Sequence, residues 1–140
     1  MKFWDTSALV PLLAPEGRSS ECTDLLAADR RMIVWALTPV EALSAIHRRH
    51  RDKGLSDASL RQAKRRLESL RDAWNEIRDV DLVGRRAERL LGVHAIRAAD
   101  ALQLAAALVG CDERPEEMPF VCLDERLGAA AEREGFRILP

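Results

Sequence analysis

Asp5, Glu41, Asp100 and Asp124 are the residues of this chain whose type and placement could do chemistry. Each stands where a short apolar run gives way to a helical pattern, or within the first turn of that helix. Asp5 follows Lys2-Phe3-Trp4, and Asp124 follows Phe120-Val121-Cys122-Leu123. Glu41 comes soon after Ile33-Val34-Trp35, and Asp100 opens the Ala-Leu-rich run Ala101 to Leu108. If the runs are parallel strands of one sheet, the four carboxylates gather at its carboxyl edge, where open α/β sheets bind ligands. Carboxylates sharing a pocket repel one another unless a divalent cation neutralises them. Oxygen-only donors favour Mg²⁺, with Mn²⁺ as a substitute, whereas zinc sites recruit His or Cys. One ion suits the pattern, and so do two about 3.5–4 Å apart that clamp both oxygens of a phosphodiester displacement.

Each acid also has a purely structural explanation. Asp5, Thr6 or Ser7 could cap the first helix. Glu41 stands three residues after Thr38, as in a capping box. Asp100 could cap its own helix with Gln103 reaching back, and Asp124 stands where an N-cap is expected. Taken singly, the cap is the better reading for all but Asp5. The joint pattern tips the balance, because Asp100 lies amid Ala98, Ala99, Ala101 and Leu102, and an acid buried there needs a partner or a cation. Arg97 can pair with one carboxylate but not with four.

The elements that must position these acids alternate between strand and helix, the signature of βα units around a parallel sheet. Lys2 to Asp5 reads as the first strand. A short helix follows through Ala8, Leu9, Leu12 and Leu13, stopped by Pro15 and Gly17, and a second carries Cys22, Leu25 and Leu26. Met32 to Trp35 is the next strand. Thr38 reads as the N-cap of a helix with Pro39 at its first position, ending near Gly54. Ser56 caps another, whose Leu60, Ala63, Leu67, Leu70 and Trp74 form one apolar stripe. Glu76 to Val80 is a weaker strand, followed by a helix from Leu82 to Leu91 closed by Gly92. Ala98 to Val109 suits a helix packed closely on the sheet. Pro119 to Leu123, Glu125 to Glu134 and Phe136 to Leu139 complete the order as strand, helix and strand.

With 140 residues the chain fits one domain with a real core. The net charge of -1 says little, but its distribution is uneven. His47 to Arg71 holds nine Lys or Arg against three acids, while Cys111 to Glu134 holds three Arg against eight acids. The basic stretch folds as a helical hairpin, and its Arg48, Arg51, Lys64 and Arg65 are candidate phosphate contacts for a polyanion. For any single one of these charges a solvated helix face is the plainer reading. Cys22, Cys111 and Cys122 lack the spacing of a zinc or disulfide framework, so reduced thiols in a cytoplasmic protein are expected. No apolar signal core or membrane-length run is present in the sequence.

The chain resembles the PIN-domain ribonucleases, in particular the VapC-type toxins of bacterial and archaeal toxin–antitoxin pairs. The resemblance rests on Phe3-Trp4-Asp5-Thr6-Ser7-Ala8-Leu9, on Thr38-Pro39-Val40-Glu41, on Arg97-Ala98-Ala99-Asp100-Ala101-Leu102-Gln103-Leu104-Ala105, and on Cys122-Leu123-Asp124-Glu125-Arg126-Leu127. It implies a single three-layer α/β domain over residues 1–140, with a central, mostly parallel sheet flanked by helices. The family's acidic quartet falls on Asp5, Glu41, Asp100 and Asp124, with adjacent Glu125 as an alternative fourth acid. Its small hydroxyl residue falls on Thr6, with Ser7 as a second helper. The implied activity is Mg²⁺-dependent endoribonucleolytic cleavage. Asp5, Asp100 and Asp124 hold the ion directly or through water, while Glu41 coordinates it or orients the attacking water. Products would carry 5′-phosphate and 3′-hydroxyl ends. The implied partners are RNA, a cognate antitoxin and a second copy of the chain.

Two other classes compete. A phosphorylated receiver domain also has an acidic pocket at a sheet edge, but it needs an adjacent acid pair after the first strand and a late Lys. This chain has Asp5-Thr6 and Asp124-Glu125-Arg126 there. A catalytically silent PIN-like module binding RNA or protein is the alternative, distinguished by the loss of acids that this chain retains.

Overall fold

Phe3 and Trp4 are neighbours in sequence yet enter different cores, as the two-residue period of a strand buried on both faces requires. The same split separates Ile33 and Trp35 from Met32 and Val34, and Phe120 from Val121. A computed structural model describes all 140 residues and places these side chains on β1 (Lys2–Trp4), β2 (Met32–Trp35) and β4 (Phe120–Val121). The outer strands β3 (Asn75–Ile77) and β5 (Ile138–Leu139) complete a five-stranded sheet of order β3-β2-β1-β4-β5. Every pairing is parallel, so the expected mostly parallel sheet is entirely so.

Parallel pairing forces crossovers, and these cover both faces. Helices α1 (Thr6–Leu13), α2 (Ser19–Ala28), α3 (Thr38–Arg51) and α4 (Asp57–Arg71) bury Leu9, Cys22, Ile46 and Leu67 against the Trp4 face. Helices α5 (Val80–Leu91), α6 (Ala98–Gly110) and α7 (Glu125–Arg133) bury Leu90, Leu104 and Leu127 against the Phe3 face. Small residues let α6 approach closely. A Cβ added at Gly110 would lie 3.1 Å from Ile77 Cδ1.

The chain runs outward from β1 through β2 to β3, then returns to the other side of β1 as β4. The order therefore reverses between β1 and β4, and a crevice opens beyond their carboxyl ends. Asp5 and Asp124 follow those two strands, so topology sets them across the crevice from each other.

Local signals held in some places and yielded in others. Ser56 caps α4 as expected, its hydroxyl accepting from Ser59 N–H at 3.1 Å. Ser56→Ala should lower stability by about 1 kcal/mol, read as a shift of the urea midpoint at unchanged slope. Thr38 is not an N-cap. It is wholly buried inside α3, whose N-cap position is Leu37 in a helical conformation without a side-chain cap. The strand expected from Glu76 to Val80 stops at Ile77, because Asp79 takes the Leu82 N–H and starts α5 at Val80.

Candidate active site

Four helix N-termini meet above the crevice, and each delivers one acid. Asp5 caps α1, with Oδ2 accepting from Ser7 N–H at 2.9 Å. Asp124 caps α7, with Oδ1 accepting from Leu127 N–H at 2.8 Å. Asp100 sits in the first turn of α6, and its Oδ2 accepts from the Arg97 backbone N–H at 3.4 Å. Glu41 lies in the first turn of α3, but its partners are other side chains: Oε2 accepts from Thr6 Oγ1 at 2.8 Å and from Gln103 Nε2 at 3.0 Å.

Capping and convergence therefore coexist. The hydrogen bonds engage one oxygen of each acid and fix its rotamer. Oε1 of Glu41, Oδ1 of Asp100 and Oδ2 of Asp124 take no hydrogen bond from the chain, while the Asp5 carboxylate is also lowered by hydrogen bonding from Thr6 and the Ser7 side chain. All four acids, with Glu125, line one hollow of about 1460 Å³.

Gln103 is the main residue that sequence reasoning misplaced. Instead of reaching back to cap α6, it is buried with only 1% of its surface exposed. Its amide nitrogen lies 3.0 Å from Thr6 Oγ1, 3.1 Å from Thr38 Oγ1 and 3.0 Å from Glu41 Oε2. A carboxylate only accepts, so the NH₂ side of the amide must face Glu41. One side chain of α6 thus ties α1 and α3 together at the acids. Thr6 joins that knot. Ser7 latches the β4–α7 turn, its Oγ accepting from Leu123 N–H at 2.9 Å and Asp124 N–H at 3.2 Å.

The candidate phosphate contacts divide. Arg48 lines the same hollow as the acids, since Glu41, Ser44, Ala45 and Arg48 share one stripe of α3. Arg51 and Lys64 are exposed outside it, and Arg65 lines a separate hollow of about 470 Å³ with Leu12, Leu26 and Leu70. Arg97 and Arg126 also line the acidic hollow. Trp4, Trp35 and Trp74 are buried, which rules them out as base-stacking platforms in this structure.

Burial dominates the electrostatics. It raises the Asp5 carboxyl from an ordinary 3.8 to about 6, against the lowering by Ser7 and with help from the Glu41 charge. Burial also raises Glu41, where the Gln103 and Thr6 hydrogen bonds oppose it, and the charge of Asp100 adds to the rise. Asp100 is raised by burial and by Asp124, and lowered by the Arg97 N–H, Arg126 and Arg97. The Cys122 thiol, 3.7 Å from Asp5 Oδ2, is pushed up to about 12 by burial and the Asp5 charge. It stays protonated, its one S–H within reach of Asp5 Oδ2 and of the Asp124 carbonyl at 3.4 Å, which makes it a poor nucleophile.

An acid raised by burial, with no cation paired to it, is the state that a bound metal ion relieves. No three His, Cys, Asp or Glu side chains converge tightly enough to encircle an ion unaided. A closed cage of the zinc type is therefore not formed. The four acids offer oxygen donors alone, a donor type that fits a hard cation such as Mg²⁺, which keeps most of its waters.

Fold and site together define a family. The chain matches the family model of the PIN domain over residues 2–133, and it belongs to that family. It is 32% identical over 141 residues to Ribonuclease VapC45 of Mycobacterium tuberculosis strain CDC 1551 / Oshkosh, which covers 99% of this chain and 94% of the relative. The identity and coverage are the same for Ribonuclease VapC49 of strain ATCC 25618 / H37Rv. Among solved structures, FitAcB from Neisseria gonorrhoeae superposes with TM-score 0.67 at 16% identity, covering 100% of this chain and 97% of that one. A toxin–antitoxin complex from Klebsiella pneumoniae gives 0.66 at 18% identity, covering 92% and 91%. These structural likenesses establish a shared fold. Membership in the PIN family removes the receiver-domain reading. No helix is long and apolar enough to cross a membrane.

Proposed function

We propose that this chain is a Mg²⁺-dependent endoribonuclease and the toxin of a toxin–antitoxin pair. The observation that carries the reading is the convergence of four acids from four helix N-termini on one hollow, each held by a hydrogen bond from the chain. The ribonuclease names of the two mycobacterial relatives support the reaction class. The toxin–antitoxin complex among the structures of like fold supports the biological setting.

Asp5, Asp100 and Asp124 would hold the ion directly or through its waters, and Mn²⁺ would replace Mg²⁺. When bound, the ion supplies a low-pKa water and neutralises charge developing on the phosphoryl oxygens. Glu41 does a different job. Thr6 and Gln103 fix its Oε2, so Oε1 has one orientation in which to accept the proton of an attacking water. Ser7 keeps Asp124 within the hollow by holding the backbone of its turn. Water attack leaves a 5′-phosphate and a 3′-hydroxyl, and no His is required. Arg48 contributes a phosphate contact from within the hollow, while Arg51, Lys64 and Arg65 act on more distant RNA. The partners of this reading are RNA, a cognate antitoxin that offers a basic residue to the acidic hollow, and a second copy of the chain. A silent binding module would keep the fold without the free acid oxygens.

The reading is tested by incubating the purified chain with total RNA in Mg²⁺ and in EDTA, then sequencing the cut ends. Cleavage confined to Mg²⁺, with 5′-phosphate ends, is the expected result. Cleavage that persists in EDTA, or ends bearing 2′,3′-cyclic phosphate, rejects it.

A further inference from the structure

Arg97 and Arg126 are cations in an unfavourable place. Arg97 is the N-cap residue of α6 and Arg126 is the second residue of α7, and helix N-termini favour negative charge. Both are exposed, and both line the hollow that holds Asp5, Glu41, Asp100 and Asp124. Yet neither forms an ion pair within 4.0 Å, although carboxylates surround them in the hollow. Their charge is felt in the site, since both lower the Asp100 carboxyl. Two unpaired guanidinium groups beside free carboxylate oxygens are poised for an anion that comes from outside.

Arg48 repeats the feature on the opposite wall. It also lines the hollow and has no ion-pair partner, whereas its neighbour Arg49 is engaged by Glu16 at 3.6 Å. It lies seven residues along α3 from Glu41, about 10 Å at 1.5 Å per residue. Helix α3 packs on the Trp4 face of the sheet, and α6 and α7 pack on the Phe3 face. The cations therefore stand on both sides of the acid row.

Resting on the nuclease reading above, we infer that Arg97 and Arg126 form a clamp for the phosphate next to the one cleaved, with Arg48 holding a phosphate on the other side. The site then takes a single strand with phosphates on both flanks of the scissile bond. Guanidinium forks suit phosphate oxygens, and their placement beside the acids offsets the repulsion between the strand and the carboxylates. The clamp binds and positions the strand; it takes no part in proton transfer.

The test measures binding of a short, unstructured, fluorescein-labelled single-stranded RNA by anisotropy across a salt series, in Ca²⁺ to suppress cleavage. Wild type is compared with Arg97→Gln/Arg126→Gln, with Arg48→Gln, and with the Arg97→Lys/Arg126→Lys charge-retaining pair. Cleavage of the same RNA in Mg²⁺ is followed alongside. Removing both clamp arginines should weaken binding about tenfold or more, and lower the salt slope by about 0.7 per charge removed. The lysine pair should restore the slope. With a neutral methylphosphonate linkage placed on one side of the scissile bond or on the other, one of the two positions should weaken wild type and Arg48→Gln but leave the glutamine pair unaffected. Unchanged affinity and slope in the glutamine pair, or penalties equal to those of wild type at both positions, overturns the clamp. In that case wild-type cleavage in Mg²⁺ would leave the nuclease reading standing. Wild type that neither binds nor cuts RNA ends both.

Discussion

Asp5→Asn should yield a protein that is more stable at neutral pH and unable to cut RNA. The two effects share one cause, the burial of a carboxylate with 4% of its surface exposed. In the folded chain Asp5 keeps its proton up to about pH 6, whereas in the unfolded chain it releases it near 3.8. Across that window the folded state binds more protons than the unfolded one, so stability falls as pH rises. The contribution is fully present below about pH 4 and gone above about pH 6. Asparagine keeps the shape and the acceptor for Ser7 N–H but carries no charge to desolvate. The variant should therefore gain about 1–3 kcal/mol over wild type at pH 7, and little at pH 4, when both are unfolded by urea in EDTA. A gap that does not widen between these pH values would show that Asp5 is not held in its burial-raised state. Activity should move the other way, falling by about a thousandfold or more, because the carboxylate that opposes stability is the one the proposed reaction uses.

Gln103→Leu should be nearly as damaging, by a different route. The amide is buried and its two N–H groups are shared among Thr6, Thr38 and Glu41, so its loss leaves the Thr38 hydroxyl without that donor and Glu41 Oε2 with Thr6 alone. Buried polar groups stripped of partners destabilise by about 1–3 kcal/mol each, and more when charged, which puts the total at about 2–4 kcal/mol. Cleavage should fall at least about tenfold even where the variant is fully folded, because Glu41 loses its single orientation. Gln103→Glu should be worse than Gln103→Leu at neutral pH, since it sets a second carboxylate against the first. Denaturant midpoints and single-turnover cleavage on the three proteins decide the matter. Equal turnover in wild type and folded Gln103→Leu would remove Gln103 from the account.

The sheet was legible because its strands are buried on both faces and read as unbroken apolar runs, and the acids because each follows such a run. Adjacency at β1 and β4 was enough to place Asp5 and Asp124 at the carboxyl edge. Longer-range bonding was not legible. Thr38 and Glu41 have capping-box spacing, but the box lost to hydrogen bonds with Gln103, 65 and 62 residues away. No local pattern reports a partner at that distance. Val80 was misassigned because Glu76 to Val80 is too short for periodicity to separate strand from helix start, and the Asp79 cap decides it. The basic hairpin was recognised by composition, yet composition does not say which side of α3 turns inward. The spacing from Glu41 to Arg48 does, since residues at helical period share a stripe. Arg97 and Arg126 stood beside recognised acids, but only the convergence of α6 and α7 brings both into one hollow.

If the chain is a metal-dependent nuclease, its acids attract a divalent ion in the absence of any substrate. Mn²⁺ binding followed by electron paramagnetic resonance of the free ion tests that directly, with wild type beside Asp5→Asn, Glu41→Gln and Asp100→Asn. One weak but saturable class of sites in wild type, diminished by each substitution, is the predicted result. Wild type that leaves Mn²⁺ free at millimolar concentration, or binding indifferent to all three changes, would contradict it.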